Sequence, residues 1–143
     1  MNKPLNIAIV GLGFGAEFIP IYQNHPDANL YAICQRNPER LNAVGQAFGV
    51  SKCFTSYEEL LRDPQVDAVH INSPIHLHAS QSIAALEAGK HVACTVPAAT
   101  SVEECRKIAA AARASKRTYM MMETVIYSRE FLFVKQLQQE GRL

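Results

Sequence analysis

A chain of 143 residues with 48% hydrophobic and 19% charged side chains is globular in composition, long enough for one domain with its own core and too apolar to be disordered. Fourteen Lys and Arg against thirteen Asp and Glu leave a formal net charge of +1, so no broad field invites nucleic acid or an anionic membrane. No apolar stretch approaches the roughly 18 residues of a membrane span, and the opening apolar run is too short for a secretory signal.

Taken in chain order, short apolar runs alternate with helical patterns. Residues 5–10 read as a buried strand and end in glycines. Pro20 then falls inside the first helix, where it removes a backbone donor and predicts a kink or a short irregular turn. Residues 30–34 form the second strand. Asn37-Pro38 cap and open a helix carrying Leu41, Val44, Ala47 and Phe48, which Gly49 stops. Cys53-Phe54 is a short third strand. Ser56 with Glu59 makes a capping-box pattern, and Ser101 with Glu104 repeats it before a helix lined by Val102, Cys105, Ile108, Ala109 and Ala112. Between them stand a fourth strand at 66–71, a helix at 79–88 closed by Gly89, and a fifth strand at 91–94. The sixth strand spans 118–122, where Met120, Met121 and Met122 read as sheet core. A last helix, capped by Ser128 and carrying Phe131, Val134 and Leu137, ends at Gly141 and has no evident place in the sheet.

Near-continuous apolar strands separated by helices specify an α/β fold. The expectation is a doubly wound, mainly parallel six-stranded sheet with helices on both faces. The four cysteines, Cys34, Cys53, Cys94 and Cys105, form no C-x-x-C pair and read as reduced thiols of a cytoplasmic protein.

Gly11-Leu12-Gly13-Phe14-Gly15-Ala16 follows the first strand directly and matches G-x-G-x-x-A. The first glycine permits the tight turn, the second lets backbone approach a pyrophosphate, and a small third residue, Ala16, lets helix and strand pack closely. Free N–H groups at the helix start then receive phosphate oxygens. The pattern predicts a dinucleotide site. No acid stands at the end of the second strand to hold a ribose 2′-hydroxyl. Gln35 can hydrogen-bond a hydroxyl without repelling a phosphate, and Arg36 and Arg40 suit a 2′-phosphate. The lean is slightly toward NADP, with NAD open, and a solvated helix start is the other account of both arginines.

The chain resembles the amino-terminal half of the Gfo/Idh/MocA oxidoreductases, the group of glucose–fructose oxidoreductase and inositol dehydrogenase. The glycine loop carries the resemblance together with Asn37-Pro38-Glu39-Arg40, Ser56-Tyr57-Glu58-Glu59-Leu60-Leu61, Ser73-Pro74-Ile75-His76-Leu77-His78 and Ala84-Ala85-Leu86-Glu87-Ala88-Gly89-Lys90-His91-Val92. It implies an NAD(P)-binding Rossmann domain at 1–122. Residues 123–143 would be a connector helix leading toward a substrate domain that this chain lacks. It further implies an oxidoreductase acting on a sugar, polyol or related carbonyl compound, a homo-oligomer when full length, and little activity from this portion alone. By the same resemblance, cofactor-binding positions fall at Ser73, Pro74, Ile75, His78, Thr95, Val96, Pro97 and Glu123.

One departure stands out. Cys94-Thr95-Val96-Pro97 occupies the place where the family has Glu-Lys-Pro, so Val96 replaces the lysine near nicotinamide and substrate, and the Val96–Pro97 bond is expected to be cis. Lys90 lies before the fifth strand, at the wrong end of the sheet to replace it. Glu123 is a weak candidate for first contact with cofactor or substrate, or a cap at a helix entry. His76 and His78 lack the carboxylate or thiol partners of a metal site, so no metal is expected. Two other functions stay open: a non-catalytic NAD(P)-binding sensor or assembly protein, and a lyase or glycosidase that uses a tightly bound nucleotide.

Overall fold

A computed structural model describes residues 3–143. Met1 and Asn2, the first two residues of the expected domain, lie outside the described residues. Six strands, β1 (Leu5–Val10), β2 (Ala28–Cys34), β3 (Cys53–Phe54), β4 (Ala68–Ile71), β5 (His91–Thr95) and β6 (Tyr119–Met122), form one sheet in the order β3-β2-β1-β4-β5-β6. Every pairing is parallel. The order reverses between β1 and β4, so their crossovers diverge and leave a crevice at the carboxyl ends of these two strands.

The helices are α1 (Ile19–Asn24), α2 (Pro38–Phe48), α3 (Tyr57–Arg62), α4 (His78–Glu87), α5 (Val102–Ser115) and α6 (Arg129–Gln139). Alternation along the strands divides the core between the two faces of the sheet. Ala8, Val10, Ala32, Cys34, Val69 and Ile71 meet Leu60 of α3, Ala85 and Leu86 of α4 and Ile108 of α5. On the other face Ile9 and Ile33 meet Ile19 of α1 and Leu41 of α2. Ile9, Ile19, Ile33 and Leu60 are fully buried, each worth about 1.5–3 kcal/mol relative to exposure.

Local chemistry accounts for the element ends. The Asn37 side chain accepts from the Arg40 N–H, and Gly49 closes α2 in the left-handed conformation. Ser56 and Ser101 cap α3 and α5 through the N–H groups of Glu59 and Glu104. The reciprocal half of the second capping box is displaced by one residue. Glu104 accepts from the N–H and hydroxyl of Thr100. In the first, the Ser56 hydroxyl donates to Glu58, not Glu59.

Several details refine the sequence expectation. β2 starts two residues earlier, because Ala28 and Asn29 pair with Leu5 and Asn6. β4 starts two residues later, because the Val66 N–H turns back to the Asp63 carbonyl. The irregularity at Pro20 is a 3-10 turn over Gly15–Phe18 that hands over to α1, with Pro20 in the first turn where a missing donor costs nothing. The methionine patch is not core. Met120 and Met121 are about half exposed, at 53% and 47%. β6 is an edge strand: Met120 is on the second face, whose helices α1 and α2 pack over β1 and β2 rather than over β5 and β6, and Met121, on the opposite face, stands at the margin of the sheet.

Candidate functional site

The crevice at the switch point is built from three close approaches of backbone. The Gly11 N–H donates to the Cys34 carbonyl, the Asn72 N–H to Val10, and the Gln35 N–H to Phe54. These bonds tie the exits of β1, β2, β3 and β4 into one rim. Gly11 has a φ of +87°, and a Cβ there would stand 2.6 Å from the Asn72 carbonyl oxygen. Gly15 is equally constrained, since its Cβ would meet Ile9 at 2.9 Å and Asn72 at 3.1 Å. The close helix–strand contact therefore falls at Gly15, while Ala16 packs against the edge of the second core cluster. At Gly13 a Cβ would meet no protein atom within 4 Å. Its surroundings are open space on the lining of the cleft.

That cleft has a volume of about 830 Å³ and runs along the ends of β1, β2, β3 and β4. Gly11, Gly13, Gln35, Arg36, Arg40, Ser73 and Pro74, all positions singled out from the sequence, line it. Gln35 accepts from the Arg36 N–H through its side-chain oxygen, which leaves its NH₂ free to donate. Arg36 is exposed and carries no ion pair among the described residues. Arg40 is partly committed, because its guanidinium donates to the Leu12 carbonyl at 3.0 Å and braces the glycine loop. Leu12 itself is fully buried, so only its backbone belongs to the site.

A smaller cavity of about 180 Å³ lies beyond it at the ends of β4, β5 and β6. Phe14, Ile75, His78, Thr95 and Val96 line it, with Met122 and Thr124. Asn72 and Ser73 line both spaces and form the waist between them. The Val96–Pro97 bond is cis. Val96 is 38% exposed, and the lining mixes apolar Phe14, Ile75 and Met122 with polar Asn72, Ser73, Thr95 and Thr124. Thr95 is buried and donates to the Ile71 carbonyl at 3.0 Å.

Several expected positions serve the frame. His78 is buried, and its ring nitrogens lie 2.7 Å from the Pro97 carbonyl and 2.8 Å from the Ser73 carbonyl. His76 is exposed on the 3-10 turn that precedes it, so the two rings do not converge. Glu123 accepts from the Val125 N–H at 2.9 Å and caps a 3-10 turn, outside the lining of either cavity. Lys90 donates to the Asp63 carbonyl at 2.8 Å, before β5 begins and away from the strand carboxyl ends.

Residues not foreseen complete the rim. Asn72 supports the glycine loop from below, and its Oδ1 is buried without a partner among the described residues. Thr55, Ser56, Tyr57 and Glu58 close the far wall of the cleft. The carboxyl of Glu58 is held below the usual range by its own backbone N–H and by Ser56. Burial pushes the Cys34 thiol up to about 12, helped by the Glu58 charge, so it is no nucleophile near neutral pH. The Tyr57 hydroxyl donates to the Gln81 carbonyl, and burial raises its pKa. The sequence held a signal for this wall. A capping box directly after the third strand puts the first turn of α3 at the same end of the sheet as the glycine loop.

A glycine loop at the switch point of an all-parallel sheet, opening on a cleft lined by hydrogen-bonding groups, defines a dinucleotide-binding domain of Rossmann type. The family model GFO_IDH_MocA, described as an oxidoreductase family with an NAD-binding Rossmann fold, matches residues 5–123, and the chain belongs to this Gfo/Idh/MocA family. It is 45% identical over 75 residues to a 1,5-anhydro-D-fructose reductase from Ensifer adhaerens, covering 52% of this chain and 22% of that protein. It is 42% identical over 86 residues to an alpha-N-acetylgalactosaminidase from Shewanella oneidensis, covering 60% and 19%. It superposes with a TM-score of 0.86 and 27% identity on scyllo-inositol dehydrogenase from Lactobacillus casei with bound NAD(H) and scyllo-inositol, covering 98% of this chain and 42% of that one. The chain thus spans about a fifth of the two curated relatives. No helix among the described residues is long and apolar enough to cross a membrane.

Proposed function

We propose that this chain is the nucleotide-binding portion of an NAD(P)-dependent oxidoreductase acting on a sugar, polyol or related carbonyl compound. The observation that carries this reading is the glycine loop. Gly11 and Gly15 are required by contacts within the protein, whereas Gly13 borders open cleft and is explained by a ligand that approaches its backbone. The residues fit a dinucleotide. The adenosine half belongs in the larger cleft between Gln35, Arg36 and the α3 wall, and the pyrophosphate against the loop of residues 11–16. The nicotinamide belongs in the smaller cavity beside Ile75, Thr95 and Val96.

A bound nicotinamide dinucleotide supplies reversible hydride exchange with a substrate carbon. The chain's own residues bind it, orient it and set the side chains of Phe14, Ile75, Val96 and Met122 beside the nicotinamide. Val96 brings no ionisable group, and both ring nitrogens of His78, the ionisable side chain in the lining, face backbone carbonyls, so the proton of the reaction falls to a group outside this cavity or to the substrate itself. Residues 123–143 are proposed as the connector to the substrate-binding part. The unburied Phe131, Leu132, Phe133 and Val134 of α6 support that assignment. Arg36, exposed and free of ion pairs among the described residues, supports a preference for NADP over NAD.

The test is equilibrium binding of NADPH and NADH to this chain, followed by turnover assays, in the protein that carries the substrate-binding part, of reduced nicotinamide with sugars and of oxidised nicotinamide with polyols. NADPH is expected to bind more tightly, and a ketose or polyol to change the reduced-nicotinamide absorbance. Glycoside cleavage that depends on bound nucleotide, with no net change in that absorbance, favours the second reading, which the likeness to the galactosaminidase motivates.

A further inference from the structure

We propose that His78 is a positioning residue. Its ring ties the exit of β4 to the exit of β5 and so fixes the walls of the smaller cavity around the nicotinamide half of the dinucleotide. The inference rests on the cofactor reading above and adds a role to a residue that bonds neither chemistry nor phosphate.

The geometry is specific. His78 opens α4 and is 1% exposed. One ring nitrogen lies 2.8 Å from the Ser73 carbonyl, in the loop after β4, and the other 2.7 Å from the Pro97 carbonyl, in the loop after β5. A neutral imidazole has one N–H and donates to one carbonyl, while a ring with both protons donates to both. In either form both edges of the ring are taken up by the frame, so no polar atom remains to hold a ligand. Ser73 is in turn fixed from the other side by a hydrogen bond between its hydroxyl and the Gln81 side-chain oxygen. The Gln81 backbone carbonyl accepts from Tyr57 at 2.7 Å. With both ring nitrogens protonated, a continuous set of hydrogen bonds runs from Tyr57 on the wall of the larger cleft, through Gln81, Ser73 and His78, to Pro97 behind the smaller cavity; a ring with one proton bonds one of the two loops and packs against the other. Thr95, bonded to Ile71, makes a second link between β5 and β4.

The placement predicts a split between the two halves of the ligand. Buried carbonyls that lose their donor rearrange to find water or another partner. The loops holding Ser73 and Val96 then separate, while the glycine loop and the Arg36 side of the cleft keep their own bonds to β2 and β4.

The experiment compares wild type with His78→Leu using two probes. One is NADPH, and the other is 2′-phospho-ADP-ribose, the same molecule without nicotinamide; NADH and ADP-ribose replace them if the wild type prefers those. His78→Leu is expected to bind the nicotinamide-free probe within about twofold of wild type and NADPH about tenfold more weakly. Its bound NADPH should also show fluorescence closer to that of the free nucleotide. His78→Gln, which keeps one amide donor, should fall between, and it carries the same comparison if the leucine variant does not fold. Equal loss of both probes, or unchanged binding of both, overturns the proposal. So does failure of both variants to fold, which would mean that the ring holds the whole sheet rather than two loops. Wild type that binds neither probe overturns the cofactor reading and this inference with it. Wild type that binds both, with variants that do not split them, overturns this inference alone.

Discussion

At the scale of single residues, charge and burial make the sharpest predictions. Arg36 and Arg40 are both exposed at the cleft, but Arg40 is partly committed to the Leu12 carbonyl of the glycine loop, while Arg36 carries no ion pair among the described residues. Arg36→Ala should therefore weaken NADPH binding by about tenfold, since a charge-assisted bond is worth roughly 1.5–3 kcal/mol, and leave NADH nearly unchanged. Parallel titrations with the two nucleotides check it, and equal effects on both would contradict the assignment. His70, fully buried on β4, has its Nδ1 against the Tyr22 hydroxyl at 3.1 Å and its Nε2 unpaired among the described residues. Burial pushes its pKa down from 6.5 to about 4. Between those values the unfolded chain takes up a proton that the folded chain refuses, so stability is full above about pH 6.5 and falls as pH drops toward 4. The loss is about 3 kcal/mol in all. Denaturant midpoints at several pH values in this window should show that slope in wild type and a flatter one in His70→Leu. Residue roles were only partly legible in the sequence. Gln35 and Arg36 follow from their place after a strand. The frame roles of His78 and Arg40 depend on carbonyl partners 5–28 residues away, which no local pattern encodes.

At the scale of elements, the glycine loop separates packing from binding. Gly11→Ala forces a positive φ on a residue with a Cβ and drives that atom into Asn72. It should cost at least about 1–2 kcal/mol in denaturant unfolding. Gly13→Ala meets no protein atom, so stability should stay within about 0.5 kcal/mol, while nucleotide affinity falls about tenfold if the Cβ displaces the pyrophosphate. Destabilisation by the second substitution, or unchanged binding, would contradict the division. Helix caps behave as the sequence indicates, and Ser101→Ala should cost about 1 kcal/mol by thermal or denaturant unfolding. Strand identity and order of appearance were readable from apolar runs and caps. The edge position of β6 was not. A run such as Tyr119–Met122 is equally apolar in a central strand and in an edge strand; only the sheet order shows that Met120 lies on the face that α1 and α2 do not reach and that Met121, on the opposite face, stands at the sheet margin.

At the scale of the whole molecule, the sheet divides into a closed side and an open one. The β1–β4 side carries two packed faces and the cleft. The β6–α6 side presents Met120, Met121, Val125, Ile126, Phe131 and Phe133 to solvent. The central claim is that the switch-point crevice holds a nicotinamide dinucleotide. Its most direct test is calorimetric titration of the protein with NADPH and NADH. Saturable binding of one dinucleotide per chain is predicted, tighter for NADPH. At a hundredfold excess over Kd, the melting temperature should rise by on the order of 10 °C. Absence of both heat and thermal shift with either nucleotide at millimolar concentration would contradict the account.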